Sequence, residues 1–305
     1  MKRALVTNRH SRANRRRPDA ARALAATLGA ELFEPKSIEA LDAMAPDFGA
    51  AEELFVHGGD GTLHRVLTAL HRGGIDLPTV SLLRAGTMNI VADSIGQKAA
   101  PERVAAMAAS GGAPRVEVAC PMAVDVGEEM PCVGFLAGGG VISRFLELYY
   151  QSHDPTPAGA ARLLLRGSLS ALVGGRLARR LTRPFDGELR VDEERWTGGP
   201  WTAVALGTVE ELGLGFTPFP LVRQHRGHAH VIGIGTSISG LALELPRVFF
   251  GKGLRHPRNR EQRARRVELV ADEPIPFMVD GDFYAGAREV VVTVLAPMRF
   301  HVWTG

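Results

Sequence analysis

The first third of the chain alternates short apolar runs with stretches whose apolar residues recur at helical spacing. This alternation of strand and helix patterns is typical of an α/β domain built on a parallel sheet. The predicted strands are 4–6, 31–33, 54–56 and 79–83, and the predicted helices are 18–28, 38–44, 62–71, 90–95 and 102–109. Ligands of such sheets bind beyond the carboxyl ends of the strands.

After about residue 115 the pattern changes to many short strands separated by Gly and Pro turns, which is typical of a β-sandwich. The predicted strands are 115–126, 132–136, 188–191, 201–206, 228–232, 267–270, 277–279, 289–295 and 298–303, and the predicted helices are 141–150 and an interrupted 158–181. Gly138–Gly140 is predicted to be a turn. The expected domains are 1–115 and 116–295, with 296–305 as a strand that completes the first domain.

A glycine-rich turn follows the predicted strand 54–56, with the sequence Gly58-Gly59-Asp60-Gly61-Thr62. Thr62 is the expected N-cap of the next helix. Glycines let the backbone approach a ligand, and a helix start offers N–H groups to an anion, although an ordinary tight turn has the same sequence features. A second turn, Gly86-Thr87-Met88-Asn89, follows one βα unit later and favours the phosphate-binding interpretation.

Composition adds two constraints. The 305 residues are 45% apolar, which is enough for two cores, and the net charge of +3 hides clusters of arginine. Such clusters bind phosphate, anionic lipid or nucleic acid, or are solvated. With three Trp and three Tyr, and no aromatic residues interleaved with the basic ones, nucleic acid is not an expected partner. The basic, apolar stretch 162–183 is either a peripheral membrane contact or a packed helix with an arginine face.

Localisation follows from what the sequence lacks. Cys120 and Cys132 form no C-x-x-C pair and indicate reduced thiols. The N-terminal apolar run is too short for a signal peptide, and no run reaches the roughly 18 residues of a spanning helix. The expectation is a cytoplasmic protein that contacts membranes, if at all, from outside.

The two turns together resemble the diacylglycerol kinase catalytic-domain family, which includes bacterial lipid kinases and sphingosine kinases. The resemblance continues through 8–12, Gly138–Gly140, 183–185 and 213–216, and ends at Val279-Asp280-Gly281-Asp282. It implies a Rossmann-like nucleotide-binding α/β domain and a C-terminal β-sandwich domain that binds the acceptor, with catalysis in the cleft between them. NAD kinases share the first turn but differ in the second.

The resemblance also implies a nucleotide site. Its members are Asn8, Ser11, Arg12, Gly58, Gly59, Asp60, Gly61, Thr62, Gly86, Thr87 and Asn89. Asp60 either orients the turn or faces the Mg²⁺ that accompanies ATP, and its structural alternative is a bond to nearby backbone. Thr87 and Asn89 close the pocket or, alternatively, serve as a turn hydroxyl and a helix cap. The match at Asn8 is loose because Arg9 stands where relatives carry proline.

Catalysis is assigned by the resemblance to two carboxylates. Asp280 matches the aspartate that accepts the proton of the acceptor hydroxyl, and Asp282 matches a companion acid that is usually Glu. Without the resemblance, Asp-Gly-Asp between two strands predicts a β-turn. Arg226 replaces a carboxylate at the family's structural magnesium site, so that site is predicted to be absent. A transition-metal site at His225, His228 and His230 is not favoured.

The expected function is ATP- and Mg²⁺-dependent phosphorylation of a lipid or lipid-like alcohol, with diacylglycerol as the leading acceptor and a role in phospholipid metabolism. Two alternatives stay open: an NAD kinase-like enzyme acting on a soluble hydroxyl, and a non-catalytic nucleotide- or lipid-binding protein of the same fold. Because family members often self-associate, a homodimer is a further expectation.

Overall fold

The structure is a computed structural model that describes residues 2–9, 11–127, 130–151, 157–197, 199–212, 216–223 and 227–304, with backbone alone at 12–13, 157–158, 160–161 and 285. The N-terminal elements are β1 Arg3–Thr7, α1 Arg12–Arg16, α2 Ala20–Leu28, β2 Glu31–Phe33, α3 Ile38–Gly49, β3 Glu53–Gly58, α4 Asp60–Arg72, β4 Thr79–Arg84, α5 Ile90–Ser94, α6 Pro101–Ala109 and β5 Arg115–Ala119.

The chain continues with β-rich structure. The elements are β6 Met122–Val126, β7 Cys132–Gly134, β8 Leu136–Gly140, α7 Val141–Tyr150, α8 Pro157–Leu172, α9 Arg176–Leu181, β9 Gly187–Val191, β10 Glu194–Trp196, β11 Ala203–Gly207, β12 Ala229–Ile234, α10 Ile238–Phe249, β13 Asn259–Ala264, β14 Arg266–Val279, β15 Asp282–Val294 and β16 Met298–Val302. No helix in the described part of the chain is long and apolar enough to cross a membrane.

The chain divides into two compact units. Unit 1 comprises 1–121, 131–134 and 296–305, and unit 2 comprises 122–130 and 135–295. The boundary expected from the sequence, at 115/116, falls at the start of β5. In the structure β5 lies within unit 1 because it pairs antiparallel with β16. Unit 1 is therefore closed by a strand from the far end of the sequence.

Unit 1 is built on one sheet with the strand order β2-β1-β3-β4-β16-β5, in which β5 alone runs antiparallel to its neighbour. Alternate residues of β1, β3 and β4 point to opposite faces of the sheet. One face packs with α2 and α6 into a core of Leu5, Ala21, Leu24, Leu28, Phe55, Leu83, Val104, Ala105, Ala108 and Trp303. Helices α3 and α4 pack together and against β1 and β3.

Unit 2 is an antiparallel sheet with the strand order β13-β12-β11-β8-β14-β15-β6. β14 pairs with β9 over 267–271 and with β8 over 277–279, so the sheet branches along this strand. Register shifts near Ile275 interrupt the β14–β15 pairing. α7 packs on β8, β11 and β14, while α8 contacts α7, α9 and α10.

The predicted fold class, a Rossmann-like α/β domain followed by a C-terminal β-sandwich domain, is confirmed by the mainly parallel sheet of unit 1 and the antiparallel sheet of unit 2. The turn predicted at Gly138–Gly140 is wrong, because these residues form the end of β8. A Cβ at Gly138 would lie 2.8 Å from the carbonyl oxygen of Val204, and one at Gly140 would lie 2.4 Å from that of Thr202. The three glycines therefore let neighbouring strands pack closely. Strands 267–270 and 277–279 are one strand, and α10 and β13 were not predicted.

β16 is anchored by Trp303, which follows it and is 4% exposed. Its indole Nε1 donates to Ser81 Oγ at 3.0 Å, and its backbone N donates to Gln97 Oε1 at 2.7 Å. Ser81 Oγ in turn donates to the buried carboxylate of Glu53 at 2.7 Å. The end of the chain is thus joined to β3, β4 and the segment after α5.

We expect Trp303→Ala to lower the free energy of unfolding of unit 1 by about 3–5 kcal/mol, because it leaves a cavity and removes the indole N–H that donates to Ser81 Oγ. Arg299→Ala, an exposed position on the same β16, is the matched control and should change the free energy by less than about 0.5 kcal/mol. Urea denaturation measures both, and equal losses in the two variants would contradict this anchoring role.

Candidate active site

Three parallel strands of unit 1 end at the same edge of the sheet. β1 ends at Thr7, β3 at Gly58 and β4 at Arg84, and the registers pair Thr7 with His57 and Gly58 with Arg84. The segments that follow these strands carry every residue predicted to bind the nucleotide. We call 58–62 and 86–89 together the glycine edge.

The two turns of the glycine edge touch through their backbones. A Cβ on Gly59 would lie 2.7 Å from Gly86 Cα, and a Cβ on Gly86 would lie 2.4 Å from Gly59 Cα. Both distances are shorter than real Cβ contacts, so both positions require glycine. The predicted pairing of the two turns is therefore a direct contact within unit 1.

Helix α4 begins earlier than the sequence predicts. Gly59 is its N-cap residue, and the carbonyl oxygen of Gly59 accepts from the N–H groups of Thr62 and Leu63. Thr62 lies inside the first turn, and a Cβ on Gly58 would collide with its Oγ1 at 2.3 Å. The predicted N-cap role of Thr62 is wrong, because the threonine side chain packs back against Gly58 rather than standing before the helix.

Asp60 links the first turn to the helix after the second. Its Oδ1 accepts a hydrogen bond from the backbone N–H of Val91 at 3.0 Å. Burial raises the pKa of Asp60, opposed by hydrogen bonds from the amides of Val91 and Ile90 and supported by the nearby negative charge of Asp93. One oxygen is thus engaged in positioning α5. The role of Asp60 at a metal stays a prediction.

Asn89 shapes the second turn. Its backbone is left-handed, with φ 54° and ψ 45°, a conformation that asparagine tolerates better than most residues. Its Oδ1 accepts from Gly86 N at 3.1 Å and its Nδ2 donates to Gly86 O at 2.9 Å. The side-chain amide therefore holds Gly86 in place against Gly59. Asn89 occupies the N-cap position of α5, as the structural alternative proposed, but its side chain bonds to Gly86 and not to an amide of the helix.

The open positions of the glycine edge are Gly61 and Thr87, which are both exposed. A Cβ on Gly61 would meet no atom within 4 Å. Gly61 lies in the first turn of α4, where N–H groups have no partner within the helix. An anion can approach the backbone there, so the residues fit a bound phosphate.

The loop after β1 is held by a buried network that sequence reasoning missed. Asn14 Nδ2 donates to the carbonyl oxygen of Asn8 at 2.8 Å and to Thr7 Oγ1 at 3.0 Å. Thr7 Oγ1 lies 3.2 Å from His57 Nδ1. The backbone N of Asn14 lies 3.4 Å from Ser11 Oγ. The signal for this network in the sequence was the polar residue near the end of each buried strand, Thr7 in β1 and His57 in β3.

His57 is 3% exposed, as expected for a packed residue at a strand end. Burial lowers the pKa of its imidazole to about 4, partly offset by the charge of Glu102. The side chain is therefore neutral near pH 7 and pairs with Thr7. Arg12 lies in α1, and its side chain is outside the described part of the structure.

In unit 2, Asp280 and Gly281 form the two-residue turn between β14 and β15. Both have positive φ, 46° and 93°, as a type I′ hairpin turn requires, and Val279 pairs with Asp282. The carboxylate of Asp280 also accepts from the backbone N of Leu136 at 2.8 Å and of Phe135 at 3.0 Å. The turn predicted from Asp-Gly-Asp is present, and the start of β8 orients its carboxylate.

Two exposed aromatic residues that were not predicted adjoin this turn. The hydroxyl of Tyr150, at the end of α7, would lie 3.2 Å from a Cβ placed on Gly281. The ring of Tyr150 contacts that of Phe283 edge-on, with centroids 5.9 Å apart. They are 50% and 43% exposed, so Asp280 has an apolar neighbourhood open to solvent. The position of Phe283 directly after Asp-Gly-Asp was a signal in the sequence, whereas Tyr150 is distant in sequence and is brought to the turn by the fold.

Metal-binding residues are not clustered: among described residues, no three His, Cys, Asp or Glu side chains are placed to hold an ion. His230 is fully buried, with its Nε2 3.5 Å from Glu261 Oε2. Arg226 and His225 lie outside the described residues, so the predicted absence of a structural magnesium site stays a prediction. Mg²⁺ held mainly by nucleotide phosphates needs only one or two carboxylates, which is compatible with this arrangement.

Comparison with known protein families finds a match over the segment that contains the glycine edge. Residues 4–120, which contain all of its members, match the family described as diacylglycerol kinase catalytic domain. This segment belongs to the diacylglycerol kinase catalytic-domain family. The family predicted from the two glycine turns is confirmed for that part of the chain.

Curated relatives of the chain are lipid kinases by name. Lipid kinase YegS of Escherichia coli (strain K12) is 28% identical over 174 residues, which cover 56% of this chain and 52% of YegS. The protein named probable lipid kinase YegS of Shigella flexneri is 27% identical over 161 residues, which cover 52% and 48%. The chain thus spans about half the length of the curated relatives it matches.

A solved structure extends the similarity in fold to both units. The crystal structure of a diacylglycerol kinase from Bacillus anthracis str. Sterne aligns with 99% of this chain and 97% of its own, with a TM-score of 0.68. Sequence identity over that alignment is 15%, so the comparison shows a shared fold.

We expect Gly61→Ala to fold normally and to bind nucleotide at least about tenfold more weakly. Alanine at 61 fits the open space and suits a helix, yet its methyl group occupies the approach to the backbone. Gly59→Ala, the matched variant, should lose about 1–3 kcal/mol of stability through its clash with Gly86. Thermal unfolding and titration with a fluorescent ATP analogue separate the two effects, and unchanged affinity in folded Gly61→Ala would contradict the assignment.

Stability should fall as the pH decreases from about 6.5 to about 4, because the unfolded state then protonates His57 while the folded state keeps it neutral. The pKa difference corresponds to about 3 kcal/mol. His57→Gln should flatten this dependence when unfolding free energies are measured across the range. Asp60 contributes the opposite slope in both proteins, since its raised pKa favours the folded state in acid. Parallel pH profiles for the two proteins would show that His57 does not titrate in this way.

Proposed function

We propose that the chain is an ATP- and Mg²⁺-dependent kinase that phosphorylates the hydroxyl of a lipid or lipid-like alcohol, with diacylglycerol as the leading acceptor. The observation that carries the proposal is the contact of Gly59 with Gly86. This contact joins two glycine-rich turns of the kind that bind phosphate, at the carboxyl ends of parallel strands. The family of residues 4–120 and the names of the YegS relatives support the reaction class.

In this proposal the glycine edge binds the phosphates of ATP. The first turn of α4 presents backbone N–H groups beside Gly61, where the space is open. Thr87 is exposed and offers its hydroxyl, and Asn89 keeps the second turn in the conformation that packs on the first. Thr62 is buried with its Oγ1 against Gly58, so its contribution is the backbone of the first turn. Mg²⁺ bound with the nucleotide would neutralise phosphate charge, and Asp60 is the one carboxylate within the glycine edge that could help to hold it.

In this proposal Asp280 accepts the proton of the acceptor hydroxyl. The oxygen of that hydroxyl forms the new bond to the γ-phosphorus of ATP, while the bond from the γ-phosphorus to the bridging oxygen breaks and ADP leaves. The amides of Phe135 and Leu136 hold the carboxylate of Asp280 in a fixed direction. Tyr150 and Phe283 offer an apolar contact for the part of a lipid acceptor next to its hydroxyl. Asp282, which starts β15, is the companion carboxylate.

Asp280→Asn is expected to lower turnover by at least about 100-fold, the usual contribution of a general base, while ATP affinity stays within about twofold. Asparagine tolerates the left-handed backbone of this turn, so the variant should remain folded, which thermal unfolding checks. Asp282→Asn is the matched carboxylate control and should have the smaller effect. Retained turnover in Asp280→Asn would remove Asp280 from the mechanism.

The acceptor is identified by an assay of labelled ATP with diacylglycerol, ceramide, sphingosine and NAD. Transfer to diacylglycerol supports the proposal as stated, and transfer to another lipid changes only the acceptor. Transfer to NAD alone would indicate the NAD kinase-like alternative. ATP binding without transfer to any acceptor would indicate a non-catalytic binding protein.

A further inference from the structure

Helix α8 exposes a stripe of leucine to solvent. Leu165, Leu169 and Leu172 are 61%, 57% and 52% exposed, and they lie at i, i+4 and i+7, so they share one face of the helix. Val173, directly after the helix, is 81% exposed. Single exposed apolar residues are ordinary, whereas an aligned set of them marks an interaction surface.

Helix α10, which packs against α8, carries an exposed apolar pair. Leu243 within α10 and Phe250, the C-cap residue directly after it, are 69% and 70% exposed. The neighbouring Phe249 contacts Phe250 and Phe216 through its ring. Two contacting helices of unit 2 therefore each present large apolar side chains to water.

The charged side chains of α8 and α9 are all basic. Residues 157–185 contain no Asp or Glu. They contain six arginines, all exposed: Arg162, Arg166, Arg176, Arg179, Arg180 and Arg183. On α10 the single acid, Glu244, is buried and accepts from the backbone N–H groups of Arg255 and His256, so it offers no compensating surface charge.

We propose that the exposed face of α8, with the arginines of α8 and α9 and the apolar pair of α10, docks on an anionic lipid bilayer. Leucine and phenylalanine would enter the region between headgroups and acyl chains, and the guanidinium groups would pair with lipid phosphates. The charge selects this occupant, because exposed arginines on α8 and α9, with no acid in either helix, complement an anionic membrane surface. The inference goes beyond the proposed reaction, and binding to vesicles needs neither ATP nor turnover.

The test is sedimentation of the whole chain with vesicles of phosphatidylglycerol and phosphatidylcholine in equal parts, and with vesicles of phosphatidylcholine alone. The wild type should bind the anionic vesicles, and more weakly the neutral ones. Leu165→Gln with Leu169→Gln should lower binding to anionic vesicles at least about tenfold, from the apolar area lost to the bilayer. Both positions are exposed, so folding should not change.

A triple variant should lower the affinity for anionic vesicles at least about tenfold, since each arginine near such a surface raises that affinity about fivefold. Its substitutions are Arg176→Gln, Arg179→Gln and Arg180→Gln. Binding to neutral vesicles should change little. Matched controls are Val116→Gln with Val270→Gln, and Arg22→Gln with Arg103→Gln and Arg299→Gln, which are all exposed positions elsewhere. These controls should bind as the wild type does.

Three results would overturn the proposal. The first is a wild-type chain that stays in solution with anionic vesicles, and the second is loss of binding that is equal in the controls. The third is a dimer in analytical ultracentrifugation that Leu165→Gln with Leu169→Gln dissociates, which would assign the stripe to a second copy of the chain. The ATP-analogue titration on the same proteins reports the nucleotide site separately, so failure at the membrane and failure as a kinase are distinguishable.

Discussion

The contact between Gly59 and Gly86 is the constraint on which the candidate nucleotide site depends. Either glycine with a side chain would press a Cβ to within 2.7 Å of the opposite backbone. With both side chains absent, the starts of α4 and α5 come together, and Asp60 reaches the amide of Val91. The amide of Asn89 then fixes Gly86 from the other side. The glycines therefore serve the packing of the two turns as well as access to the backbone.

Two of the three carboxylates proposed to take part in the reaction, Asp60 and Asp280, also have the same structural role. Asp60 accepts from the start of α5, and Asp280 accepts from the start of β8. Each one connects a turn to a segment that is distant in sequence, and an acceptor carboxylate forms strong hydrogen bonds to backbone amides. Replacing either residue therefore changes local geometry together with chemistry. For variants of Asp60 or Asp280, a loss of activity can therefore be assigned to chemistry only when the stability of the same variant is unchanged.

Regular elements were predictable where local pattern and packing agree. The strand 31–33 and the helix 141–150 have the predicted bounds, and Gly29 ends α2 in the left-handed conformation that its position suggests. The prediction was wrong where glycine serves a neighbouring strand, as at Gly138–Gly140. It missed α10, whose sequence contains Gly240 and Pro246, because Ser237 caps it and α8 packs against it. Intrinsic preference is overridden there by tertiary contacts.

The division into an α/β domain and a β domain and the two glycine turns could be predicted from the sequence, and its resemblance to a known family indicated the reaction class. Periodicity and turn chemistry are local, so they can be read from neighbouring residues. The contact of Gly59 with Gly86 and the buried network of Asn14, Thr7 and His57 became visible only in the folded chain. The folded chain also showed that β16, the strand predicted to complete the first domain, pairs with β4 on one side and β5 on the other. These contacts join residues far apart in the chain, and whether a leucine of α8 is buried or exposed likewise depends on which neighbours cover it.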